Sequence, residues 1–191
     1  MNIFYLHKNP ERCAQMHIDK HVVKIPLEVA QMACTNAVIL KFVHPVDYTG
    51  KPLDREGLDD LKEYRKVVKE IPQDEREVPY LPCHPNHPCT IWMRTSSENF
   101  LWAFDYAMGL EKEYTHRYGK PSLKACDVLR QIFSEIVTYL PRKGFTIPAL
   151  AMPDQYKCDD PVMSYRNYYL GEKAGIATWK GRSAPDWWKH V

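Results

Sequence analysis

Fifteen prolines against eight glycines set the strongest limit on this chain. Proline fixes φ and removes a backbone donor, so each one ends, kinks or opens a helix and is excluded from central strands. The segments between them have helical, not alternating, periodicity. Asn9 and Pro10 form an N-cap followed by a first-turn proline, so a helix is expected through CAQMHIDKHVVK, with a kink or break just before Pro26 and a continuation through LEVAQMACTNAVIL. HPVDYTGKPL is expected to be a loop, REGLDDLKEYRKVVKE a peripheral helix, and IPQDEREVPYLPCHPNHPC a further loop. The run TSSENFLWAFDYAMGLEKEYTHRYG has cap-type serines, a broad apolar stripe and Gly119 as terminator, the marks of a core helix. Ser122 is expected to cap another helix through about Tyr139, and Asp160 with Pro161 opens one through about Ala177. The reading is a single all-α domain over residues 1–191, with a kinked first helix, a proline-rich loop and an aromatic, basic C-terminal tail.

Six cysteines without regular spacing or an export signal read as reduced thiols, and no apolar window of bilayer length stands out. A cytoplasmic protein with no membrane partner is therefore expected. A net charge of only +2 means that any nucleic-acid surface must come from uneven placement of the basic residues.

Several clusters have chemical capacity. His17, Lys20, His21 and Lys24 share one helical face, with Cys13 one turn earlier. Clustered ammonium and imidazole groups favour an anion and lower one another's proton affinity, which leaves a neutral base near pH 7. His17, His21 and Lys24 are the catalytic candidates, and the competing reading is a solvated basic face with a core histidine. The pair His17 and His21, or the Cys83, His84, His87 and Cys89 of CHPNHPC, are metal-type donors. Neither has the HExxH or CxxC spacing, so no metal and no cofactor are expected. Trp92, Arg94, Asn99 and Trp102 supply stacking faces, a guanidinium and an amide. With Lys20, the first three of these form the substrate-binding set, unless the tryptophans are core anchors. Tyr165, Arg166, Tyr168, Tyr169 and Lys173 read as a packing stripe. In the tail, Trp179, Lys180, Arg182, Trp187, Trp188 and Lys189 interleave rings with cations, which suits DNA; the alternative is a strap whose tryptophans cover an apolar groove.

The opening MNIFYLHKNPERCAQMHIDKHVVKIP and the closing PDWWK resemble small phage-encoded helical proteins and, more distantly, the pyrimidine-dimer DNA glycosylase family. Between these ends the likeness is helical character alone. In that family the α-amine of a small second residue attacks the sugar, a first-helix glutamate assists, and a nucleotide is extruded from the stack. Here the second residue is Asn2, too large for efficient methionine removal, and Lys24 aligns with the glutamate, with Glu28 the nearest acid. A lysine and histidines in that place imply a pocket for an anionic substituent. The resemblance thus implies a DNA-binding enzyme acting on a pyrimidine base. It would transfer an amine or amino acid to an activated, pyrophosphorylated thymine, or act as a glycosylase or lyase, in the cytoplasm of an infected bacterial host. The alternatives are a noncatalytic phage protein docking on a host factor, and a His/Cys metal-dependent hydrolase.

Overall fold

A computed structural model describes residues 2–43 and 48–188. Among them the fold is all-helical: α1 (Pro10–Gln15), α2 (Asp19–Val38), α3 (Arg55–Val68), α4 (Pro88–Met93), α5 (Ser97–Tyr118), α6 (Lys124–Tyr139) and α7 (Pro161–Lys173). No strand occurs among the described residues.

The caps written in the sequence hold α1, α5 and α7. Asn9 accepts from Arg12 N, Ser96 from Asn99 N, and Asp160 from Val162 N and Met163 N. Gly119 ends α5 in the left-handed region, φ 66°, where a side chain would be strained. Ser122 caps nothing. Instead Glu111 of α5 accepts from Leu123 N at 3.0 Å, so α6 is started by its neighbour rather than by its own serine. Part of the proline-rich loop is also helical, since Pro88 opens α4 and His87 caps it by accepting from Cys89 N.

The first arm is in two pieces, but the break falls at residues 16–18 and not at Pro26, which lies inside a continuous α2. The reason is an arginine far along the chain. Arg117 of α5 donates Nη2 to Gln15 O at 3.1 Å and Nη1 to His17 O at 2.8 Å, satisfying carbonyls at the end of α1. It also pairs with Asp19, the first residue of α2, at 2.9 Å. Pro26 costs α2 one hydrogen bond, but Ile25, Val29 and Ala30 around it are buried, and the helix is continuous through the defect.

α2 runs on as a π-turn through Val43 and packs against α4, α5 and α6; α5 also packs on α1. Gly109 makes the α1–α5 contact possible, because a Cβ there would lie 3.0 Å from the Ala14 Cβ and 3.3 Å from the Glu11 Cα. α3 buries only Gly57 and Leu61, in line with its charged sequence. The stretch Asp19–Val43 is, contrary to the reading by eye, long and apolar enough to cross a membrane by composition. Its most apolar window is 78% buried in the fold, which is how a core helix spends such a face.

Candidate active site

Residues 3–6 form a buried entry segment ahead of α1. Phe4 stacks on His21 at 4.5 Å and, at 5.9 Å, on Tyr168 of α7. Ahead of it, Asn2 is tied down on three sides. Its Nδ2 donates to Ala151 O at 2.9 Å, its Oδ1 accepts from Tyr165 OH at 3.2 Å, and its backbone N–H donates to Glu28 Oε2 at 2.9 Å.

Glu28 is therefore the acid that meets the start of the chain. Its carboxylate is buried, and its other oxygen lies 3.1 Å from Lys24 Nζ, whose side chain is 69% exposed. A buried carboxylate needs such donors, since leaving the charge unpaired costs several kcal/mol. Sequence reading had named Glu28 only as the nearest acid; its signal was that it extends the His17, His21, Lys24 stripe by one more turn.

The two histidines differ. His17 is fully buried: Nδ1 lies 2.7 Å from Cys13 O and Nε2 2.5 Å from Tyr106 OH, so the carbonyl requires N–H at Nδ1 and the phenol donates to Nε2. Burial first, then the charge of His21, pushes its pKa well below the usual range. With both ring nitrogens committed inside the core, His17 is the core histidine of the competing reading, which corrects its place among the catalytic candidates. His21 lies nearer the surface, with Nδ1 2.5 Å from Tyr169 OH. Burial, then Lys173, then Lys24, lower its pKa to about 4, so it is neutral near pH 7. Tyr169 is held protonated by burial and supplies the proton to Nδ1, which leaves N–H on Nε2. Lys173 and Tyr169, read from the sequence as packing, thus join the site through α7, while Lys20 is exposed on α2.

The substrate set of Trp92, Arg94 and Asn99 is corrected too. Arg94 is wholly buried and donates to Tyr48 O, Asn36 Oδ1, Pro85 O and Lys51 O, stapling two loops together. Asn99 donates to Trp92 O and Thr146 Oγ1 and accepts from Thr146 N, and Trp92 donates to Thr146 O. Their polar atoms are used up holding segments that carry few backbone bonds of their own. Trp102, likewise buried, donates to Lys8 O.

The tail is a strap that returns to the first arm. Asp19 N donates to Thr178 O, the Asp19 carboxylate accepts from Lys180 N at 3.0 Å, and Trp179 donates to Met16 O. Arg182 grips Glu113 through two hydrogen bonds, and Lys180 Nζ lies over the Tyr118 ring. Trp188 packs on Trp179, and Trp187 on Tyr169 and beneath the Arg166 guanidinium. Lys189 lies outside the described residues.

Among the described residues no group of three or more His, Cys, Asp or Glu is arranged to hold a metal ion. In the CHPNHPC loop, Cys89 is buried against Asn2, with burial pushing its thiol up to about 11, and His87 is engaged as a helix cap. Burial also lifts the Cys13 thiol to about 12, so it is no ready nucleophile. No family model, curated protein or solved structure matches the chain.

Proposed function

We propose that this protein is an enzyme acting on a pyrimidine base in DNA, with Glu28, Lys24 and His21 at its reacting centre. One observation carries the reading: a buried first-helix carboxylate lies hydrogen-bonded to the second residue of the chain, with an exposed lysine over it. The resemblance expects a first-arm acid near the second residue of the chain, and Glu28 rather than Lys24 stands there, although Asn2 meets it through a backbone amide N–H and not a free α-amine. A carboxylate that accepts from Asn2 N–H and pairs with Lys24 can take a proton from an incoming amine or water, or face positive charge developing on a sugar. The exposed Lys24 ammonium suits an anionic leaving group such as the pyrophosphate of an activated thymine, and neutral His21 offers its Nε2–H as a hydrogen-bond donor. The co-substrate in a transfer reaction would be a small amine or amino acid.

The test is to incubate the protein with normal, dimer-containing and pyrophosphorylated thymine DNA and to analyse the released or altered nucleosides by mass. Conversion of one of the three, lost in Glu28→Gln, is the expected result. Inert behaviour on all three sinks the reading and favours a noncatalytic docking protein.

A further inference from the structure

Glu98, Leu101, Trp102 and Asp105 stand three, four and seven residues apart on α5, so they share one face of that helix. With Tyr5, Lys8, Pro10 and Phe145 they line a recess of about 540 Å³. A second recess, of about 510 Å³, shares Tyr5, Lys8 and Phe145 with the first and runs on past Ile147 to Asp159 and Asp160 at the start of α7. The two form one groove. Its middle is apolar. Phe145 lies 6.3 Å from each of the largely buried rings of Tyr5 and Trp102, which are themselves 5.1 Å apart. Phe145, Leu101 and Ile147 all stay exposed, so three large uncovered apolar side chains meet in one concavity.

Charge narrows the occupant. Four carboxylates line the groove, Glu98, Asp105, Asp159 and Asp160, and Lys8 is the one cation among the lining residues. Glu98 and Asp160 are held by neutral donors: Glu98 accepts from Gly144 N at 3.1 Å, and Asp160 caps α7. Arg166 offsets part of the Asp160 charge at longer range, its own guanidinium being engaged by Leu6 O and the Trp187 ring. Asp105 forms no ion pair among the described residues. Burial raises its pKa, and Lys112, the cation that opposes this, is in contact with Glu11 at 3.1 Å. The balance is negative, which turns away a phosphate backbone and suits a cationic partner. Spacing adds a register. Glu98 and Asp105 are two helical turns apart, about 10 Å, with Leu101 and Trp102 between them, and a partner helix repeats its own side chains at the same interval.

We propose that this groove docks an amphipathic helix of a partner protein, with Lys or Arg side chains at Glu98 and Asp105 and an apolar side chain between them on Leu101 and Phe145. The surface is separate from the Glu28 site and does not rest on the reaction proposed there.

The experiment is fluorescence anisotropy of a labelled helical peptide that carries two lysines two turns apart with leucine and phenylalanine between them, titrated with the full chain. A second peptide has both lysines replaced by glutamate. Wild type should bind the lysine peptide, more weakly as salt rises, and leave the glutamate peptide unbound. Asp105→Lys, at an exposed position, should weaken the lysine peptide by about tenfold or more and gain binding of the glutamate peptide. Leu101→Ser should weaken the lysine peptide by about fivefold and leave its salt dependence unchanged. Both variants should melt close to wild type. Binding of neither peptide, equal binding of both, or an affinity unmoved by Asp105→Lys overturns the proposal. A wild type that sediments as a dimer while Asp105→Lys sediments as a monomer also overturns it, by giving the groove to a second copy of this chain.

Discussion

His17 and Glu28 stand on one stripe of the same helical arm, and both are buried polar groups, yet they do opposite work. His17 is closed off, with Cys13 O on one nitrogen and Tyr106 OH on the other. Around it Arg117, Glu113 and Asp19 form a buried ion network that joins α5 to both halves of the arm. At the Glu28 end the partners include the Asn2 backbone N–H and Lys24, whose side chain is exposed. The lesson is that burial of a titratable side chain does not mark a site by itself. What separates framework from chemistry is whether any partner can reach solvent.

The comparison breaks most readily at Glu28. Glu28→Gln keeps shape and an acceptor for Asn2 N–H but removes the base, so turnover on the reactive DNA should fall by about 10² to 10⁴ with the melting temperature little changed. Retained turnover would return Glu28 to the framework. At the other end, Arg117→Ala leaves Glu113 and Asp19 partly uncompensated and two carbonyls unpaired, and should cost about 3–5 kcal/mol in urea unfolding. A loss below 1 kcal/mol would mean that the break at 16–18 does not depend on it.

Smaller effects sharpen the contrast. Gly109→Val would force α1 away from α5, a cost of about 1–3 kcal/mol that should appear as faster amide exchange in α1. Lys24→Ala should change stability by less than about 1 kcal/mol, because its pair with Glu28 is largely exposed on the lysine side, while turnover falls by orders of magnitude. A further contrast is with pH. Both histidines have folded-state pKa values below the ordinary 6.5, so acid protonates the unfolded chain first and stability is lost as pH falls below about 6.5. For His21 the loss runs down to about pH 4, and for His17 it continues lower. Each contributes at most about 1.4 kcal/mol per pH unit, measurable as a falling urea midpoint from pH 7 to 5. A flat midpoint over that window would show that neither is held neutral by the fold.

Much of the fold was legible in the chain, because its signals are local. Asn9 with Pro10, Asp160 with Pro161, Ser96 and Gly119 each act within one turn of themselves, and each does in the structure what its chemistry predicts. Ser122 carries an equally good local signal and was overruled by Glu111 reaching Leu123 N, while at Pro26, among buried neighbours, the helix does not break. The grouping of His17, His21 and Lys24 was readable from helical spacing, with Glu28 named only as the nearest acid, although His17 lies in the break between α1 and α2. Which of the four would be sealed and which would meet Asn2 was not, because that depends on Tyr106, Tyr169 and Arg117, which come from α5 and α7.

The sequence by itself determined most of the helices, the capped ends of α1, α5 and α7, and the titratable groups along the first arm, since capping, proline geometry and periodicity involve neighbours a few residues apart. Tertiary structure alone decided the break at 16–18, the enclosure of Arg94 and Asn99, the return of the tail to Asp19, and the choice of Glu28 as the acid beside the start of the chain. Those outcomes turn on donors and acceptors brought together from distant segments, where a buried polar group takes whatever partner the packing presents.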